Sequence, residues 1–219
     1  MISQESNIVA DRVLARRVVP VVVIDDAALA VPLAEALLAG GLDLIEITFR
    51  TAAAESAIRN VARALPQMMV GAGTLLEPAQ VRTARDAGAK FGVAPGLNEE
   101  VVRAARELGL TFLPGVMTPS EVERGLALGC QLQKFFPAEV AGGAKMLKAL
   151  AGPYAHTGLR FIPLGGVNSK NAPDYLSLPI VAAIGGSWIA ERRLISTKNW
   201  SEITRLAREA LGLAKAAQS

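Results

Sequence analysis

The sequence predicts an α/β protein, a single-domain (β/α)8 barrel of the TIM type, with an N-terminal capping helix over residues 1–17. Two observations lead to this prediction. Apolar, β-branched runs alternate with alanine-rich helical stretches along the chain, a pattern typical of a parallel sheet covered by helices. The composition does not shift along the chain, so we expect residues 1–219 to form one domain.

Eight apolar runs bounded by Gly, Pro or polar residues are the predicted strands. They cover residues 18–25, 42–50, 68–75, 91–96, 111–116, 132–138, 160–167 and 180–189. Helices fit between the runs, and a last helix over 200–217 has Ser201 as its predicted N-cap. Four glycines fall where a helix needs a left-handed residue at its end, and these are Gly41, Gly88, Gly109 and Gly129.

Composition excludes several classes of function. The chain is 51% apolar and 20% charged, which supplies a sizeable core. Its net charge of +3 is scattered along the predicted helices, and only 5% of residues are aromatic. This pattern is typical of a solvated surface with a mild attraction for anionic metabolites, so we expect a small-molecule partner and no nucleic acid.

The rare residues argue against metal and disulfide chemistry. Cys130 is the one cysteine, so no internal disulfide forms, as in proteins of a reducing compartment. His156 is the one histidine, which excludes a zinc site built from several imidazoles, and its flanks predict a solvated loop. The first 17 residues contain acids and no continuous apolar core, so neither a signal peptide nor a membrane span is expected. We expect a cytoplasmic protein without a cofactor.

Lys134 is the first candidate for chemistry. It is a single ammonium group in the apolar, strand-like run LQKFFPAE, with no acid before Glu139. Burying an unpaired ammonium is costly, so the position favours a neutral amine that attacks carbonyl carbons. We expect Phe136 to shield this amine and the like charge of Arg50 to favour its neutral form. The alternative is a lysine whose tip reaches water from a strand end. Only Lys90, at the opening end of a strand, competes as a strand-borne nucleophile.

The second predicted strand, LDLIEITFR, carries a polar face. Glu46, Thr48 and Arg50 alternate with period two, while the apolar residues between them face the covering helices. Barrels place their functional groups at the carboxyl ends of strands, so this face indicates a site. The alternative is a buried ion pair between Glu46 and Arg50 that holds the barrel shut.

Two glycine-rich segments follow strands seven and eight, LGGVNSKN and IGGSWI. Barrels commonly bind phosphate at these two loops, because backbone amides can approach an anion where no side chain intervenes. The candidates for phosphate binding are Gly165, Gly166, Gly185, Gly186 and Ser187.

Residues at the ends of the middle strands complete the predicted mouth. The hydroxyl of Thr74 is suited to a substrate carboxylate beside the planar guanidinium of Arg50. Alternatively, Thr74 caps the helix that begins near Pro78. Pro95 and Pro114 end strands four and five and are predicted to shape the opening.

Six segments occur in one order along nearly the whole chain: EITFR, GAGTL, APG, KFFPAE, PLGGV and IGGSW. In this they resemble the 2-keto-3-deoxy-6-phosphogluconate aldolases, which also act on 2-keto-4-hydroxyglutarate. The resemblance implies a class I aldolase, a homotrimeric barrel without a metal. It also implies a role for each matching residue: Schiff-base formation for Lys134, acid/base catalysis for Glu46, pyruvate carboxylate binding for Arg50 and Thr74, and phosphate binding for Gly165, Gly166 and Ser187.

One position departs from the pattern of that family. Leu164 precedes the first glycine pair, where many members carry threonine, and relatives that use the galactonate epimer carry an apolar residue there. The preferred epimer and the balance between phosphorylated and glutarate substrates therefore stay open. Two other readings are a phosphosugar isomerase or epimerase, which needs no strand-borne lysine, and a phosphometabolite-binding barrel without catalysis.

Overall fold

The computed structural model describes residues 4–217 of the chain, so the first three residues of the predicted N-terminal helix lie outside the described part. The helices are α1 (Gln4–Arg16), α2 (Ala30–Ala39), α3 (Ala54–Ala64), α4 (Pro78–Asp86), α5 (Glu99–Glu107), α6 (Pro119–Ala127), α7 (Gly143–Tyr154), α8 (Ala172–Leu176), α9 (Arg192–Ser196) and α10 (Trp200–Ala216). None of these helices is both long and apolar enough to cross a bilayer.

Every predicted apolar run contains strand, although each strand is shorter than its run. The strands are β1 (Val18–Val22), β2 (Leu44–Thr48), β3 (Met69–Gly73), β4 (Phe91–Val93), β5 (Thr111–Leu113), β6 (Gly115–Val116), β7 (Leu132–Phe135), β8 (Arg160–Pro163) and β9 (Ile184–Gly186). They pair in the orders β5-β4-β3-β2-β1-β9 and β6-β7-β8, and all these pairs are parallel. The α/β class with a parallel, curled sheet is confirmed.

The two sheets approach each other at both ends. Only Pro114 separates β5 from β6, and its carbonyl accepts a hydrogen bond from the Lys134 amide at 2.9 Å. Strand β5 ends directly before Pro114, as predicted, and extended chain resumes after it as β6. At the other end, Phe161 of β8 forms a parallel bridge with Val181, just before β9.

Alternating side chains divide the core into an outer and an inner cluster. Ile45 and Ile47 of β2 join the outer cluster with the covering helices, as the alternation predicts. Leu44 instead joins the inner cluster, whose members come from several strands and include Val9 and Val13 of α1. Helix α1 is also tied to the start of β2, where the carboxylate of Asp43 accepts hydrogen bonds from Arg12 and Arg16.

The four predicted glycines adopt the left-handed conformation that the end of a helix requires, with φ between 69° and 104°. This prediction is confirmed.

The N-cap of α10 is a different residue from the predicted Ser201. Asn199 accepts a hydrogen bond from the Glu202 amide, and Ser201 only bonds to the Asn199 side chain, because the helix begins one residue earlier than Ser201.

Candidate active site

The side chains of Lys134 and Glu46 meet in the interior between the two sheets, since their strands, β7 and β2, belong to different sheets. The Nζ atom of Lys134 lies 4.0 Å from Oε1 of Glu46, and the two side chains are only 7% and 2% exposed. The alternative of a lysine that reaches water from a strand end is therefore wrong. Lys90 is exposed, which leaves Lys134 as the amine of the interior.

The environment of Glu46 favours its neutral form. Oε1 of Glu46 is buried and has no hydrogen-bond partner within the described residues. Burial raises the pKa of Glu46 above its usual value, and the charge of Lys134 opposes that change. A carboxyl group whose pKa is raised in this way is suited to exchange a proton with a reacting group.

Gly73 of β3 provides the space that the Glu46 carboxylate occupies. A Cβ atom at Gly73 would collide with Oε1 of Glu46 and lie 2.8 Å from its Cγ. The sequence-based prediction missed this role, and the only signal for it was the glycine pair inside an otherwise apolar strand. The Glu46 carboxylate on β2 can therefore occupy its position only because residue 73 on β3 is a glycine.

Apolar side chains surround the pair of Lys134 and Glu46. A cavity is lined by Lys134 and Glu46 together with inner-cluster residues, including Val13, Leu113 and Leu164. The ring of Phe136 lies with its centroid 5.0 Å from Nζ of Lys134, a cation–π distance, and so it shields the amine as predicted. The buried Leu164 presents no hydrogen-bonding group to this cavity.

The remaining polar residues of the second predicted strand lie differently from the prediction. Strand β2 ends at Thr48, whose buried hydroxyl donates to the carbonyl oxygen of Val22 at 2.9 Å. Arg50 lies exposed in the following turn. The predicted alternative of a buried Glu46–Arg50 ion pair is wrong, because the ionic partner of Glu46 is Lys134.

Thr74 follows β3 in a strained backbone conformation. Its φ is 58°, in the left-handed region that β-branched residues rarely adopt and that costs about 1–3 kcal/mol. Thr74 does not cap α4, whose N-cap residue is Glu77. The capping alternative is therefore wrong, and strain of this kind is typical of functional positions. Half-buried Pro95 lies after β4, with its carbonyl packed against Gly115.

The two glycine segments lie beside each other and beside Phe136 and Leu164, which lie close to Lys134. Gly165 and Gly166 are left-handed, with φ of 92° and 84°. A Cβ atom at Gly165 would lie 3.2 Å from the Phe136 ring, and one at Gly185 would lie 2.8 Å from Leu164. Gly186 ends β9, and the exposed Ser187 follows it. The predicted phosphate-binding glycines are thus neighbours in space.

Other titratable residues lie away from this site or are unreactive. His156 is exposed in a short turn, Ala155–Thr157, as predicted. Burial raises the pKa of the free thiol of Cys130 to about 11, so it is protonated at neutral pH and is a poor nucleophile. The buried Tyr175 donates its hydroxyl hydrogen bond to Glu139, and burial raises the pKa of this phenol. The sequence-based prediction missed this contact.

Three comparisons with known proteins agree with this geometry. The family model of KDPG and KHG aldolase matches residues 9–206. A 2-dehydro-3-deoxy-phosphogluconate aldolase of Haemophilus influenzae is 45% identical over 91% of this chain and 93% of its own length. A KHG/KDPG aldolase of Escherichia coli K12 is also 45% identical, over 90% of this chain and 92% of its own.

The solved structures include a KDPG aldolase from Legionella pneumophila with pyruvate captured at low pH as a covalent carbinolamine intermediate. It superposes on this chain with a TM-score of 0.89 and 41% identity, covering 95% of this chain and 98% of its own. The buried pair of an amine and a carboxyl group, with the glycine segments beside it, is consistent with these similarities in sequence and structure. The chain belongs to the KDPG and KHG aldolase family.

Proposed function

We propose that this chain is a class I aldolase that cleaves 2-keto-3-deoxy-6-phosphogluconate to pyruvate and glyceraldehyde 3-phosphate. The observation that supports this most is the buried pair of Lys134 and Glu46, with Nζ and Oε1 4.0 Å apart. An amine beside a proton-exchanging acid, in an apolar cavity, meets the needs of imine chemistry. The covalent pyruvate adduct in the Legionella relative supports the same reaction type.

The reaction begins with addition of the neutral Lys134 amine to the 2-keto carbon of the substrate. Glu46 starts in its protonated form, which its raised pKa favours, and gives its proton to the departing hydroxyl group. Water leaves, and a cationic imine forms between Nζ and carbon two. This imine withdraws electrons from the neighbouring carbon–carbon bond.

Cleavage uses the carboxylate that dehydration leaves on Glu46. It accepts the proton of the hydroxyl at carbon four, directly or through a water molecule. The bond between carbons three and four breaks, its electron pair moves into the imine as an enamine, and glyceraldehyde 3-phosphate leaves. Glu46 returns the proton to carbon three, and hydrolysis of the imine releases pyruvate and regenerates the amine.

Substrate binding involves both ends of the molecule. Thr74 and Arg50 are the proposed ligands of the pyruvate carboxylate, with Arg50 reaching in from its exposed position. Pro95, Phe136 and Leu164 form the proposed walls. The proposed phosphate ligands follow β8 and β9 and are Gly165, Gly166, Gly185, Gly186 and Ser187. Binding energy from the remote phosphate would orient the reacting carbons.

One observation favours a second substrate class. Leu164 borders the same cavity as Lys134 and Glu46 and offers no group to bind a substrate hydroxyl. The galactonate epimer or 2-keto-4-hydroxyglutarate is the alternative substrate on this basis. A phosphosugar isomerase or epimerase is less well supported, because it would not need an amine buried beside a carboxyl group.

The architecture is proposed to be one closed (β/α)8 barrel over residues 1–219. The Phe161–Val181 bridge and the short break at Pro114 support closure of the two sheets. Val9 and Val13 support a capping role for α1, since they pack into the inner cluster. By family resemblance, we also propose a cytoplasmic homotrimer.

Side-by-side cleavage assays test the proposed function. Pyruvate release would be measured from the phosphogluconate substrate, its galactonate epimer and 2-keto-4-hydroxyglutarate, with wild type and Lys134→Met. We expect cleavage of the gluconate form by wild type and loss of all cleavage in the variant. Cleavage that survives in Lys134→Met would overturn the imine mechanism, and a wild type that releases no pyruvate from any of the three substrates would favour the isomerase or epimerase reading.

A further inference from the structure

The carbonyl groups of the loop after β8 are held from one side by the segment that follows Lys134. The carbonyl oxygen of Leu164 accepts a hydrogen bond from the Ala138 amide at 2.7 Å. The carbonyl oxygen of Gly165 accepts one from the Glu139 amide at 3.0 Å. The backbone that carries the reactive lysine therefore fixes two successive peptide units of this loop.

Two asparagine side chains fix the third peptide unit. The carbonyl oxygen of Gly166 accepts hydrogen bonds from Nδ2 of Asn168 and from Nδ2 of Asn171, both at 3.1 Å. The asparagines also support each other, because Oδ1 of Asn171 accepts from the Asn168 amide at 2.8 Å. Two donors on one carbonyl leave this peptide unit little freedom to rotate.

These bonds determine where the amides of the loop point. In a trans peptide the N–H group points opposite to the C=O group of the same unit. The amides of Gly165, Gly166 and Val167 therefore point away from the donors that hold the adjoining carbonyls. None of the three donates a hydrogen bond to another residue within 4–217, so all three are available to an anion.

We infer that Asn168 and Asn171 are positioning residues for phosphate, acting through the peptide unit between Gly166 and Val167. This rests on the proposed function, in which that loop binds the substrate phosphate. The asparagines do not touch the substrate. They keep the Gly166 carbonyl oxygen, which would repel a phosphate, turned away from it and so keep the Val167 amide facing it.

The test replaces one donor without removing its acceptor. Asn171→Asp retains Oδ1 for the Asn168 amide but places a second acceptor against the Gly166 carbonyl in place of Nδ2. Asn168→Asp makes the same change at the other donor and serves as an independent variant. Ser169→Asp is the charge control, because it adds a carboxylate between the two asparagines without altering either bond to Gly166.

The readout is competitive inhibition of substrate cleavage by inorganic phosphate, together with kcat and KM for the phosphorylated substrate. We expect the inhibition constant and KM to rise about tenfold in Asn171→Asp and in Asn168→Asp, with kcat changing much less. Ser169→Asp should change both constants by less than about threefold, since Ser169 is only half-buried and water screens a charge there. A fall in kcat at unchanged KM would indicate general damage to the site and would overturn the inference.

Three further kinds of result distinguish a failure of this inference from a failure of the proposed function. Equal inhibition of wild type and both asparagine variants, or an equal rise in Ser169→Asp, would overturn the positioning role while the phosphate site stands. A wild-type enzyme that cleaves substrate but is not inhibited by inorganic phosphate would overturn both the phosphate assignment and the inference. A wild type that releases no pyruvate would instead overturn the aldolase proposal itself.

Discussion

The side chains of Lys134 and Glu46 meet at 4.0 Å across the interior, from strands that belong to different sheets. Neither residue has an oppositely charged residue next to it in the sequence that would pair with it when buried. The amine is covered by the Phe136 ring, and the carboxylate occupies the space left by Gly73. This relationship supports the proposed roles of Lys134 as nucleophile and Glu46 as proton carrier in one apolar cavity, and each prediction below changes one part of it.

Replacing Glu46 by Gln should separate imine formation from bond cleavage. The amide keeps the shape of the carboxyl group but cannot carry the proton, so we expect kcat for cleavage to fall about 100- to 10,000-fold. Borohydride trapping of pyruvate on Lys134 should remain detectable. Glu77→Gln is the control, since it makes the same chemical change at an exposed residue. Unchanged turnover in Glu46→Gln would remove Glu46 from the mechanism.

The raised pKa of Glu46 predicts a pH dependence of stability once its ionic partner is removed. In Lys134→Met only the burial effect on Glu46 remains, and this raises the pKa above the ordinary 4.5. The folded state then binds more protons than the unfolded state, so the free energy of unfolding should fall as pH rises above 4.5. The slope for one proton is at most about 1.4 kcal/mol per pH unit.

Urea unfolding between pH 4 and 8 measures this effect. The double variant Lys134→Met/Glu46→Gln has no carboxyl group to titrate at this position, so it should lack the slope. If the free energy of unfolding changed equally with pH in the single and the double variant, burial of the Glu46 carboxyl group would not disfavour its charge.

A methyl group at Gly73 should displace the carboxylate without any chemical change to it. In Gly73→Ala the new Cβ collides with Oε1 of Glu46, and a displacement of about 1 Å can lower the rate about 100-fold. Steady-state kinetics should therefore show the behaviour of Glu46→Gln. Gly152→Ala, where an added Cβ meets open space, is the matched control. Wild-type kcat in a folded Gly73→Ala protein would contradict the role of this space.

Thr74 should show opposite effects on stability and binding. Thr74→Gly relieves the left-handed strain of a β-branched residue, so we expect a free energy of unfolding equal to or above that of wild type, by up to about 1 kcal/mol. The same change removes the proposed hydroxyl ligand, so KM for substrate and the dissociation constant of pyruvate should rise. Thr83→Gly in the middle of α4 should instead lower stability. Unchanged pyruvate binding in Thr74→Gly would argue against its ligand role.

The interior position of Lys134 and Glu46 could be predicted because both residues break an apolar pattern. Lys134 is a single cation in an apolar run, and Glu46 alternates with isoleucines on a strand. The strand positions were also predictable. Their ends were not, since residues such as Leu42 and Leu75 are buried beside the strands without belonging to them. Hydrophobic pattern reports burial and not hydrogen-bond pairing.

Other features depend on contacts between distant segments. The exposed position of Arg50 follows from the end of β2 at Thr48, which is determined by pairing with β3. The role of Gly73 requires the distance to a neighbouring strand, and that of Asn168 and Asn171 requires the path of their loop. For the asparagines, their position two and five residues after the glycine pair Gly165–Gly166 was the only signal in the sequence.

Covalent trapping tests the central claim most directly. Wild type, Lys90→Met and Lys134→Met would each be treated with pyruvate and borohydride, digested, and analysed by mass spectrometry. We predict one reduced pyruvate adduct, on the peptide that contains Lys134, in wild type and in Lys90→Met, and none in Lys134→Met. An adduct on another lysine, or no adduct in the wild-type enzyme, would contradict the account.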